Sequence, residues 1–198
     1  MARSLSLVVP TGLLVAALGV STLTVQAVGA LADGRGPSVS SDGPDAPAWV
    51  SVPAAGVDQE PVTPEGLTAQ GTVDPDQGEA IWYSGSGRVV PGQVGTAVVA
   101  AHMIYYDEPD VFYDLGEVEE GDVVTVGYNN GTTRDFVVTD TQQISKEGLQ
   151  TAPQVWGDQD DVARIALITC DDSLGERPDG QRKANFVAIA EAVGPVGG

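Results

Sequence analysis

Ala163-Arg164-Ile165-Ala166-Leu167-Ile168-Thr169-Cys170 is the stretch that decides the fold of this chain. Its apolar, β-branch- and alanine-rich run reads as a buried strand. Thr96-Ala97-Val98-Val99-Ala100-Ala101-His102 reads the same way. The two runs end on the only cysteine and the only histidine of the 198 residues. A thiol and an imidazole at matching strand ends are the minimal parts of a cysteine acyl-transfer site. No second thiol exists to pair with Cys170, and no second imidazole exists to help hold a metal. Neither a metal nor a cofactor is therefore expected.

Outward from these two strands, short apolar runs alternate with Gly, Pro and Asn-Gly punctuation. Trp49 to Val52 reads as the first strand, extended at Glu60 to Val62 past a turn at Ala55 to Asp58. Thr63 followed by Pro64 carries a helix-start signal, kept short by Gly66. Ile81-Trp82-Tyr83 is strand-like, and Pro109 to Val118 predicts one helical turn with Phe112 and Leu115 facing the core. Asp122 to Tyr128 and Thr132 to Thr141 flank Asn129-Asn130-Gly131, a strong hairpin signal. Ile144 to Trp156 is a long connection, helical around Glu147 to Val155. Val162 to Cys170 is followed by a polar loop over Asp171 to Gly180 and a last strand over Phe186 to Val193. Roughly seven or eight short strands with turns between them predict a mainly β, closed barrel with short helices.

The N-terminus splits off from this domain. Leu5 to Leu31 carries no charge and exceeds the roughly 20 residues that span a bilayer. A cleaved signal peptide would use a small-residue site near Ala27 or Ala30. An uncleaved membrane anchor over 1–31 is the favoured reading, because the run outlasts a signal-peptide core. Both readings mean export. Residues 32–48, rich in Gly, Pro, Ser and Asp, predict a disordered linker. The folded domain is expected over 49–194, with a flexible tail at 195–198.

The chain has 28 Asp plus Glu against 9 Lys plus Arg, a formal charge of −19. That excludes nucleic acid as a partner, since binding it needs a cationic footprint. It also argues against peripheral contact with anionic lipid. Surface carboxylates that keep an exported domain soluble account for the charge. Calcium would need clustered ligands of the Asp-x-Asp-x-Asp-Gly kind, and none occurs.

A lone cysteine in an exported chain points either to a reactive or intermolecularly paired thiol, or to an inert buried one. The polar run Asp171-Asp172-Ser173 places Cys170 where its strand leaves the core, which favours reactivity. Three of the scarce cations, Arg177, Arg182 and Lys183, follow the cysteine. They either offset Asp171, Asp172, Glu176 and Asp179, or one of them donates to an oxyanion beside the thiol.

With these pieces in place the chain resembles a sortase, most like the actinobacterial class F branch. The resemblance rests on Val-Ser-Val-Pro-Ala-Ala-Gly-Val from Val50, the strand ending in His102, and Gly-Glu-Val-Glu-Glu-Gly-Asp-Val-Val-Thr-Val from Gly116. Ile-Ala-Leu-Ile-Thr-Cys ending at Cys170 and Arg-Lys-Ala-Asn-Phe-Val-Ala-Ile-Ala from Arg182 complete it. It implies a sortase-type barrel and a cysteine transpeptidase that cuts a Leu-Pro-x-Thr-Gly-like sorting signal between Thr and Gly. Cys170 would be the nucleophile and His102 the proton donor and acceptor. Arg182 would hold the substrate carbonyl. The implied partners are a surface protein bearing the signal and an amino group of a cell-wall precursor or pilin. The catalytic domain would stand outside the cell membrane. One departure is Ala101, where the family usually has Gly before the histidine. Arg182 and Lys183 are neighbours on a strand and so face opposite sides; Lys183 would be the poorer clamp, lacking the planar fork.

Asp171 and Asp172 beside the thiol disfavour a thiolate, which predicts a nucleophile waiting mostly as a neutral thiol and a slow enzyme. The competing readings are a non-catalytic surface-binding barrel with Cys170 buried, and a surface protein dimerised through Cys170. An L,D-transpeptidase is disfavoured, because its histidine lies close to its cysteine in sequence.

Overall fold

The computed structural model describes residues 43, 45–69, 71–178 and 181–194. Its strands are β1 (Pro47–Val52), β2 (Val57–Glu65), β3 (Ala80–Tyr83), β4 (Gly95–Ala101), β5 (Ile104–Tyr105), β6 (Glu108–Pro109), β7 (Val123–Tyr128), β8 (Thr133–Ser145), β9 (Ala163–Glu176) and β10 (Arg182–Ala192). Single-turn helices α1 (Lys146–Leu149) and α2 (Pro153–Trp156) lie between β8 and β9. Eight strands close a barrel in the order β1-β2-β3-β4-β9-β10-β8-β7, while β5 and β6 form a separate small hairpin. The β2–β3 and β4–β9 pairs are parallel, and the other barrel pairs are antiparallel. The barrel is the fold expected from the spacing of short strands.

Side-chain alternation splits the apolar residues into two cores. On β4 and β9 the odd-numbered Val99, Ala101, Ile165 and Leu167 point into the barrel with Phe112, Leu115 and Phe136. The even-numbered Val98, Ala100, Ala166 and Ile168 point outward, where Ala152 and Val155 of the α1–α2 connection cover them. This is why these strands read as continuous apolar runs: both of their faces are buried. The outer face matters for function, because Cys170 and His102 continue its even-numbered series.

The Asn-Gly hairpin forms as expected between β7 and β8, with Gly131 at a positive φ of 81°. Phe112 and Leu115 are fully buried as expected, but the helical turn between Pro109 and Val118 is only a 3-10 turn over Leu115–Glu117. Glu147 to Val155 gives two separate turns, the second beginning at Pro153, which cannot donate a backbone hydrogen bond into a preceding turn.

Three expectations are corrected. Thr63-Pro64 does not start a helix; it lies in β2, whose Val62 to Glu65 pair with Ala80 to Tyr83. Partners across the sheet overrule the local cap signal there. Asp171 to Glu176 is not a loop but the continuation of β9, held by Arg182 and Ala184 of β10 across a bulge. The linker expected through 48 ends earlier: Ala46 is buried, β1 starts at Pro47, and Asn130 donates to Asp45. The expected anchor (1–31), most of the expected linker and the tail (195–198) lie outside the described residues. Among the described residues no helix is long and apolar enough to cross a membrane.

Candidate active site

β4 and β9 run side by side and parallel, with Ala100 opposite Ile168. Thr169 Oγ1, which is buried, donates to Ala101 O at 3.0 Å, keeping the same 68-residue offset one step further. His102 and Cys170 are the next residues on the two chains, each directly following this bond. Both are only partly covered: Cys170 is half-buried and His102 is 19 % exposed. The structure therefore brings the two sequence-predicted residues to one strand end, beyond the outer-face floor formed by Ala100 and Ile168.

His102 Nε2 lies 2.8 Å from Pro75 O and 3.7 Å from Asp74 Oδ1. A carbonyl only accepts, so Nε2 carries the hydrogen in this arrangement. Tyr105 packs its ring against the imidazole at 5.2 Å between centroids. Acidic residues collect on this side. Partial burial, then Glu79, Asp76 and Asp74, push the Glu65 carboxyl above its ordinary value of 4.5.

Around the thiol the charges are arranged differently from the sequence expectation. Asp171 accepts from Ser173 N at 2.8 Å and from Gln143 at 3.5 Å. Asp172 and Glu176 both pair with the Arg182 guanidinium, which is 21 % exposed. Arg177 pairs with Glu147 at 2.6 Å. Arg182 thus sits on the β9–β10 hairpin, engaged by carboxylates, and Lys183 beside it is exposed.

The cation that touches the sulfur is one the sequence reading did not name. Lys146 Nζ lies 3.7 Å from Cys170 Sγ and 3.4 Å from Asn185 Oδ1. Topology explains this. Asn185 of β10 faces Ile144 of β8 on one side and Cys170 of β9 on the other. Ile144, Asn185 and Cys170 form a row across three strands, and Lys146 follows Ile144 on the same face. No local motif announces that row; it needs the order β9-β10-β8. Asp74 and Pro75 were missed for a similar reason, since only the path between β2 and β3 carries them to His102.

A thiol and an imidazole following the ends of adjacent strands, with the Lys146 ammonium beside the thiol, can carry out acyl transfer without a metal ligand set. The comparisons agree with the fold. The family model for the sortase domain matches residues 50–193. The chain belongs to the sortase family, which supports a cysteine transpeptidase as its general activity. No curated protein sequence matches it significantly. Among solved structures it is similar to sortase A of Listeria monocytogenes, with 22 % identity and a TM-score of 0.54 over 76 % of this chain and 88 % of that one. It is also similar to the SrtA sortase of Actinomyces oris, at 22 % identity and a TM-score of 0.57 over 74 % and 79 % of the two chains. Sortase C of Streptococcus pneumoniae gives 15 % identity and a TM-score of 0.55 over 78 % and 72 %. At these identities the three structures speak to the fold alone, and they span more than one sortase class.

Proposed function

We propose that this protein is a class F-like sortase that cleaves a Leu-Pro-x-Thr-Gly-like sorting signal between Thr and Gly. His102 takes up the thiol proton, and Cys170 Sγ attacks the Thr carbonyl carbon, forming a C–S bond as the carbonyl π electrons move to oxygen. When the intermediate collapses, the C–N bond breaks and His102 gives its proton to the leaving amine. An incoming amine, from a cell-wall precursor or a pilin, then attacks the thioester, gives its proton to His102 and releases the Cys170 thiolate. Arg182 takes the substrate carbonyl in this reading, exchanging its carboxylates Asp172 and Glu176 for it. The N-terminal segment 1–31 anchors the enzyme in the cell membrane with the barrel outside.

The observation that supports the reading is that Cys170 and His102 each follow directly on the Thr169–Ala101 bond joining two adjacent parallel strands. Incubating the protein with Leu-Pro-x-Thr-Gly peptides tests it by mass spectrometry. An acyl adduct on Cys170, lost in Cys170→Ala and discharged by added amines, is the expected result. Absence of any adduct across the panel would overturn it.

A further inference from the structure

Lys146 stands apart from the two arginines that follow Cys170 in the sequence. Arg177 and Arg182 are each committed to carboxylates. Lys146 is not: among the described residues no carboxylate pairs with it, although the chain carries a formal charge of −19. Its ammonium rests instead on a sulfur and a side-chain carbonyl, at 3.7 and 3.4 Å. Both contacts are long. An ammonium has three donors, so this one keeps hydrogen-bonding capacity at the nucleophile.

The lysine is also held from behind. Ser145 Oγ accepts from Gly148 N at 3.0 Å, capping the turn that begins with Lys146. The strand that precedes it, β8, pairs with β10 up to Ser145, opposite Ala184. The ammonium is therefore delivered to the thiol by an ordered strand end rather than by a free surface side chain. Asn185, the cross-strand partner of Cys170, orients it through its carbonyl oxygen.

We propose that Lys146 is a catalytic cation of this site. Its ammonium steadies negative charge on Cys170 Sγ before attack and on the substrate carbonyl oxygen in the tetrahedral intermediate. The second role rests on the transpeptidase reading; the first does not. Lys146 keeps its proton throughout. The sulfur lone pair forms the C–S bond, the carbonyl π pair moves to oxygen beside Nζ and returns on collapse, and the leaving-amine proton comes from His102. Such fixed positive charge, aimed where negative charge develops, is worth most in a site shielded from water. It also offsets the Asp171 and Asp172 carboxylates that the sequence places next to the thiol.

The test separates the two roles. Alkylation of Cys170 in the full chain is timed with anionic iodoacetate and with neutral iodoacetamide at one pH, for wild type, Lys146→Gln and Lys146→Arg. The ratio of the two rate constants reports local charge and needs no sorting signal. Lys146→Gln is expected to lower that ratio about fivefold, and Lys146→Arg to hold it within about twofold of wild type. An unchanged ratio in Lys146→Gln, or a fall that arginine does not restore, overturns the proposal. Far-UV circular dichroism establishes that each variant is folded, and Lys146→Met replaces Lys146→Gln if the latter is not. With a cleavable sorting peptide, kcat should fall about tenfold or more with KM little changed, and arginine should recover part of it. Full kcat in Lys146→Gln overturns the second role. If wild type itself cleaves no peptide, the transpeptidase reading fails while the alkylation ratio still decides the first role.

Discussion

Thr169 Oγ1 donates to Ala101 O across the β4–β9 pair, one residue before both Cys170 and His102. The hydroxyl is buried, so water does not readily take the place of this donor once it is lost. Thr169→Val keeps the shape and removes only the donor. It should cost about 1–3 kcal/mol of stability, read from urea unfolding. Sorting-peptide turnover should fall further than stability alone explains, because the two reacting groups lose their common fixing point. Wild-type turnover in a measurably destabilised Thr169→Val would show that the bond serves the fold only.

Gly127 of β7 faces the Trp49 ring of β1, its partner in the barrel register. A Cβ at 127 would overlap the indole carbons and nitrogen directly. Gly127→Ala should therefore destabilise by about 1–3 kcal/mol through overpacking. Pairing it with Trp49→Leu should recover part of that loss. Equal unfolding midpoints for wild type and Gly127→Ala would mean that the indole has room to swing away.

The barrel was legible because β4, β9 and β10 carry their apolar residues on both faces and β7–β8 are joined by Asn-Gly. The ends of elements were less legible. Thr63-Pro64 reads as a helix start only until β3 pairs alongside it, and Asp171 to Glu176 reads as a loop until β10 zips against it. The cysteine and histidine could be found because each is unique and each ends a strand. Lys146 could not, because its place depends on two non-local pairings made by a third residue, Asn185. Charge counted along the sequence put Asp171 and Asp172 next to the thiol and offered only cations downstream of them; charge counted across strands adds the Lys146 ammonium.

Glu60 and Glu65 give the pH dependence of stability a definite sign. Partial burial, then Asp110, raises Glu60 above 4.5; partial burial, then Glu79, Asp76 and Asp74, raises Glu65 likewise. The folded state thus binds these protons more readily than the unfolded chain does. Their contribution is fully present below the unfolded value and is lost as pH rises through the raised folded one. Glu65→Gln cannot ionise, so its stability relative to wild type should grow from pH 4 to pH 7. Urea midpoints at the two pH values check this; a constant difference between the proteins would refute the Glu65 part.

Arg182 offers the sharpest test of how the cations divide their work. Its guanidinium is held by Asp172 and Glu176 on the β9–β10 hairpin. If it leaves them to hold the substrate carbonyl, loosening that grip should help. Asp172→Asn should then leave kcat/KM equal to or above wild type, while Arg182→Ala lowers it at least about tenfold. If Arg182 instead only braces the hairpin, both substitutions should weaken stability and activity in step, because each breaks the same ion pair. Activity of Arg182→Ala equal to wild type would remove this arginine from the chemistry altogether. Kinetics on one sorting peptide, with unfolding measured on the same preparations, separate these outcomes. The double variant Arg182→Ala with Lys146→Gln adds a further reading. Two cations acting on the same oxyanion should show losses that do not add, whereas a brace and a catalytic group should lose independently.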